Sequence, residues 1–155
     1  MRSTAHTRVL ADTEITAMLR RTRLGYHRAV AALASAGNDV IMDYPLREQW
    51  RLADLLHTLD GYDVTLIEVH CAPDQLDQRE HARGDRPIGL ARSQTSVYAI
   101  GEYDIVVDTT NTSAGQCAIA IAHALDAVST PKAFDRILDP ERNSMNLMEI
   151  ERASS

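Results

Sequence analysis

Four arginines, Arg79, Arg83, Arg86 and Arg92, fall within the run REHARGDRPIGLAR. Arg79 and Arg83 are four residues apart, so on a helix they project from one face; Arg86 and Arg92 follow across a Gly-Asp-Arg-Pro break. A guanidinium group stays charged and offers a planar fork of donors that matches phosphate oxygens. Four of them converging would stabilise charge on a transferring phosphoryl group. The same spacing also describes a solvated helix face, because Glu80 and Asp85 lie among the arginines and can pair with them. Spacing alone leaves both readings open.

Two further groups stand where chemistry could use them. Asp43 follows the apolar run Val40-Ile41-Met42, and a carboxylate at a strand end can hold a magnesium-bound water or polarise a hydroxyl. It can equally cap the turn before Tyr44-Pro45. Asp108-Thr109-Thr110 closes another apolar run, where hydroxyls and backbone could meet a nucleotide or simply begin a loop. No metal site is expected: no two of the six histidines have ligand spacing together with a third ligand, and His70-Cys71 is the best pair. Cys71 and Cys117 are well separated in apolar surroundings and read as reduced core thiols. Glu68 interrupts the apolar run Val64 to Val69 and, if buried, needs a partner such as a lid arginine.

The elements that would position these residues are legible as patterns. From Asp12 to Ala36, apolar residues recur at three- and four-residue steps, predicting an amphipathic helix stopped by Gly37. Val40 to Met42 reads as a short strand buried on both faces. A second helix is predicted over 46–60 and a second strand over 64–71. Pro73 suits the first turn of a helix carrying Leu76, Arg79 and Arg83, with a further helix through Leu90, Gln94 and Val97; together they form a candidate lid over 73–99. Asp104 to Asp108 reads as the last strand, and Ser113 with Gln116 as a capping box opening a helix through Ile121 and Leu125. Beyond Pro131 the periodicity fades. Alternating helices and near-continuous apolar strands imply βαβ units and a parallel sheet, whose ligands bind beyond the carboxyl ends of the strands.

At 155 residues, 45% hydrophobic and 25% charged, the composition is that of one globular domain. Its formal net charge of −6 argues against nucleic acid as a partner and for a small molecule. No apolar run is long enough to span a bilayer, and the polar start MRSTAHTR lacks the apolar core of a secretory signal, so a cytoplasmic protein with no membrane partner is expected.

Taken in order, Gly25 to Val30 (GYHRAV), Gly37 to Asp43 (GNDVIMD), Val69-His70-Cys71, Ala82 to Arg86 (ARGDR), Tyr103-Asp104 and Val107-Asp108-Thr109 resemble the chloramphenicol phosphotransferase-like family. The resemblance covers about residues 14 to 128, and the ARGDR segment with its flanking Arg79 and Arg92 is its most specific part. It implies a three-layer α/β/α fold of the P-loop kinase type, moving the γ-phosphate of ATP, with magnesium, onto a hydroxyl of a small molecule such as an antibiotic. By resemblance, Arg83 and Arg86 act on the transferring phosphoryl, Asp43 supports magnesium, and Arg79, Arg92, Asp108, Thr109 and Thr110 lie on the nucleotide side. The family-like core would span 12–128, with a C-terminal extension over 131–155.

The departures are equally specific. A family member of full length opens with a strand, a GxxxxGK[ST] loop and a helix, then an acidic segment supplying the proposed general base. None of these occurs in the 155 residues, and Lys132 is the sole lysine. The expectation is therefore the larger C-terminal part of such a kinase, lacking the first, central strand and inactive in this form. Thr7 to Ala11 is the one local candidate to fill that slot. The alternatives are a degenerate relic that binds anions or nucleotides without catalysis, and a domain that binds partners or itself through open sheet edges.

Overall fold

A computed structural model of the chain describes residues 12–46, 48–84, 89–90 and 101–139. The expectations placed on Thr7 to Ala11, on Arg86 and Arg92, on the second lid helix beyond Leu90 and on the tail after Asp139 lie outside these residues. The elements run α1 (Asp12–Ser35), α2 (Gln49–Thr58), β1 (Ile67–His70), α3 (Pro73–Arg83), β2 (Ile105–Asp108), α4 (Ala114–Leu125) and α5 (Ala133–Leu138). The protein is thus α/β, with a two-stranded sheet in which β1 pairs parallel to β2.

The helix ends follow from local chemistry. Asp12 and Glu14 occupy the first turn of α1, where carboxylates oppose the positive end of the helix dipole. Pro73 opens α3, and Gly84 closes it in the left-handed region, with φ 68° and its N–H donating to Glu80 O. The capping box of α4 is present in full: Ser113 Oγ accepts from the Gln116 amide, and Gln116 Oε1 accepts from the Ser113 amide.

Two expectations change. Val40 to Asp43 forms no strand, and Ile41 is 99% exposed. A strand exists only through its ladder, and among the described residues no segment pairs with this one. In the other direction, residues beyond Pro131 carry no readable period, yet they form α5. Its Phe134 is 1% exposed and packs with Val30, Leu55 and Leu59 in the first apolar core.

The second core lies on one face of the sheet. Ile105 and Val107 of β2 pack with Cys117 of α4, and Ile121, Ala124 and Val128 close around them. The segment entering β1 joins the two cores, because Val64 and Leu66 pack in the first. Asp104 then ties three segments: its Oδ2 accepts from the Leu66 amide at 2.8 Å, its Oδ1 from the Ala133 amide at 2.7 Å, and its own N–H donates to Leu66 O. This brace sets β1 and β2 in register, so both strands end at one level, His70 beside Asp108.

Candidate functional site

At the carboxyl ends of β1 and β2 a hydrogen-bonded cluster assembles. The parallel ladder carries one residue past β2, where the Thr109 amide donates to His70 O at 2.8 Å and the Thr109 hydroxyl donates to the same oxygen at 2.9 Å. Thr110 takes the Ala72 amide on its hydroxyl at 2.8 Å and gives its own amide to Asp108 Oδ1 at 2.7 Å. Hydrogen bonds from the Thr110 hydroxyl and amide hold the Asp108 carboxyl below the usual range, so it is anionic at neutral pH.

Arg79 reaches this cluster from α3. Its Nη1 donates to Thr109 Oγ1 at 3.1 Å and its Nη2 to Thr109 O at 2.5 Å. The side chain is exposed, so a cationic fork stands in solvent over the end of β2. Of the sequence-derived site residues, Arg79, Asp108, Thr109 and Thr110 are brought together. Arg83 lies one turn further along the same helix and is exposed. Asp43 is exposed in the stretch after Met42, has no hydrogen-bond or ion-pair partner among the described residues, and is not joined to the Arg79 cluster.

Other residues depart from their sequence reading. Glu80 is 8% exposed rather than part of a solvated face, and its Oε2 accepts from the Gly89 amide at 2.8 Å. It fastens Gly89 back onto α3, a role that no helical or strand spacing signals because the two residues lie nine apart in the chain. Glu68 is half-buried, and His70 Nδ1, on the same face of β1, lies 3.9 Å from its Oε1. Lys132 is committed elsewhere: its ammonium donates to Asp63, and to Thr65 at 2.9 Å. His27, which spacing left without a role, is fully buried against Asp54 and Tyr44.

Beyond the parallel strand ends the cluster thus sets the exposed, cationic Arg79 fork near an anionic Asp108, at the location where α/β sheets receive ligands. Among the described residues no helix is long and apolar enough to cross a membrane.

Comparison with known proteins places the same residues in context. Residues 2–126 match the family described as chloramphenicol phosphotransferase-like protein. Two Mycobacterium tuberculosis proteins, named "Putative O-phosphotransferase MT2714" (strain CDC 1551) and "Putative O-phosphotransferase Rv2636" (strain H37Rv), are each 33% identical over 112 residues. The match covers 72% of this chain and 50% of each relative, so the chain spans about half the length of these proteins. No solved structure matches it significantly.

Proposed function

The chain belongs to the chloramphenicol phosphotransferase-like family, and from that membership we propose that it forms the lid and strand-end side of an O-phosphotransferase acting on a small-molecule hydroxyl. The observation that carries this reading is the Arg79 fork on Thr109. It supplies fixed positive charge where a phosphate would lie beyond the strand ends, and such preorganised charge is the main contribution a protein makes to phosphoryl transfer.

The residues fit ATP and magnesium as follows. Arg79 and Arg92 position the nucleotide phosphates; Arg83 and Arg86 act on the charge that develops on the moving phosphoryl. Thr109, which anchors the Arg79 fork, and Thr110 lie on the nucleotide side, and Asp43, exposed and without a hydrogen-bond partner among the described residues, supports the magnesium ion. When bound, ATP provides the transferable phosphoryl. The sheet in this reading is the centre of a three-layer α/β/α sandwich, with the slot beside β1 belonging to the P-loop strand. The acceptor is a hydroxyl of a small molecule such as an antibiotic.

The 155 residues contain no GxxxxGK[ST] run, and the sole lysine is held by Asp63 and Thr65 on the side of α5. Without backbone amides and a lysine around the β- and γ-phosphates, these residues by themselves bind anions and do not transfer phosphate. This favours, as second reading, an anion-binding relic of the kinase family.

Calorimetric titration with tripolyphosphate tests the site. Arg79→Ala and Arg83→Ala are each expected to weaken binding about tenfold, the size of one charge-assisted contact of ~1.4 kcal/mol. Arg79→Lys is expected to restore charge but only part of the affinity, because the fork is lost. Unchanged affinity in both alanine variants overturns the phosphate reading. Magnesium-dependent ATP binding with phosphate transfer to an added alcohol would overturn the inactivity of the 155-residue form, whereas magnesium-independent binding without transfer fits the relic.

A further inference from the structure

The helix that carries Arg79 and Arg83 lends no residue to either apolar core among the described residues. The one side chain that α3 buries is instead a carboxylate, that of Glu80. A carboxylate leaves water at little cost only where hydrogen bonds replace the lost solvent. Glu80 Oε2 accepts from the Gly89 amide at 2.8 Å, and the backbone oxygen of the same residue accepts from the Gly84 amide at 3.2 Å. Both glycines are left-handed, with φ 68° at Gly84 and 86° at Gly89, a backbone that residues with a Cβ seldom adopt.

One residue thus ties down both ends of the run from Gly84 to Gly89. Only Asp85-Arg86-Pro87-Ile88 separates the two anchors, and Arg83 stands immediately before the first. Arg79, whose fork lies on Thr109, directly precedes Glu80 in the same helix. A short run fixed at both ends has given up much of its conformational freedom before a ligand arrives, so less order has to be imposed on binding. By charge alone the same carboxylate would have the opposite effect: a negative group among arginines repels phosphate and weakens the site.

We propose that Glu80 is a positioning residue of the phosphate site: through its hydrogen bond to the Gly89 amide it latches the turn after Arg83 onto α3 and so preorganises the arginines for an anion. The proposal rests on the phosphate reading of the Arg79 cluster and deepens it. Glu80 itself touches no phosphate in this arrangement, because the oxygen it would present is spent on Gly89. Its contribution is the reach of its side chain rather than its charge, and the two can be varied separately.

Two substitutions in the full chain do this. Glu80→Asp keeps the charge and shortens the arm by one methylene, so it gives up the Gly89 amide; Glu80→Gln loses the charge and keeps an accepting oxygen at the same reach. Tripolyphosphate affinity, read by calorimetry, is expected to fall about three- to tenfold in Glu80→Asp, the size of one hydrogen bond, and to stay at or above the wild-type level in Glu80→Gln. Hydrogen exchange at the Gly89 amide is expected to be slow in the wild-type chain and in Glu80→Gln and fast in Glu80→Asp, with the Thr109 amide at the strand ends protected in all three. Wild-type affinity in Glu80→Asp overturns the proposal, because the carboxylate then acts by charge alone. Weakened binding in Glu80→Gln, or fast Gly89 exchange in the wild-type chain, overturns it as well. If Arg79→Ala and Arg83→Ala leave binding unchanged, the phosphate reading falls and the proposal with it; if they weaken binding and Glu80→Asp does not, the reading stands and the latch alone falls.

Discussion

Asp104 shows how much one side chain can hold. It accepts the amides of Leu66 and Ala133, which are part-buried and belong to segments 67 residues apart in the chain. Asp104→Ala leaves both donors without an acceptor, and each orphaned amide costs about 1–3 kcal/mol. A loss of about 2–4 kcal/mol in urea unfolding is expected, with Asp104→Asn recovering part of it through its remaining oxygen. Asp54 gives a second expectation, on pH. Its carboxyl is held below the ordinary value of about 3.9 in the folded state, so its contribution is complete above that value and is lost as pH falls through the folded one. The stability gap between the wild-type chain and Asp54→Asn should therefore be constant near neutrality and close in acid. A gap that widens in acid would show that the sign is wrong. Neither bracing role could be read in sequence: Asp104 was legible as the start of a strand and as part of the Tyr103-Asp104 resemblance, not as a brace, and the pairing of His27 with Asp54 joins two helices whose packing no local pattern encodes.

Helix ends are legible because caps are local. Ser113, Gln116, Pro73, Gly84 and Gly37 each act within a few residues, so their chemistry was readable directly and the described helices begin or end where it places them. Strands differ, since a strand is a relation between two segments. Val64 to Cys71 contracts to the four residues that pair with β2, and Val40 to Asp43, equally apolar, does not pair among the described residues. The six-residue α5 is too short for a 3.6-residue period to show. The same locality sets the expected effects on the lid and strand-end helices. Ser113→Ala removes one capping acceptor and should cost about 1 kcal/mol, read from thermal unfolding. Gly84→Ala meets no clash, but it forces a side chain onto a φ of 68°, at about 1 kcal/mol. Because Gly84 sets the turn directly after Arg83, this variant should also weaken tripolyphosphate binding, which Ser113→Ala should not.

At the scale of the molecule, the described residues form two small apolar cores with one shared seam. The first gathers α1, α2 and α5 around Phe134, and the second sets α4 on β2. Leu66 packs in the first core and leads directly into β1, which pairs with β2 of the second. Around them, large apolar side chains such as Met18, Leu19, Ile41, Ile119 and Leu125 remain at least 41% exposed, so burial within each core must carry much of the stability. Truncating the most buried large side chain is then a severe change: Phe134→Ala removes an aromatic ring and leaves a cavity, at about 3–5 kcal/mol against a total of about 5–15 for a typical domain. If the seam at Leu66 and Asp104 makes the cores one cooperative unit, hydrogen exchange in Phe134→Ala should accelerate in α4 as well as in α1 and α2, by similar factors. Acceleration confined to α1 and α2, with α4 and β2 unchanged, would mean that the strand-end site stands on an independently stable half. In that case the arginine fork would survive loss of the first core, and tripolyphosphate affinity in Phe134→Ala would equal that of the wild-type chain.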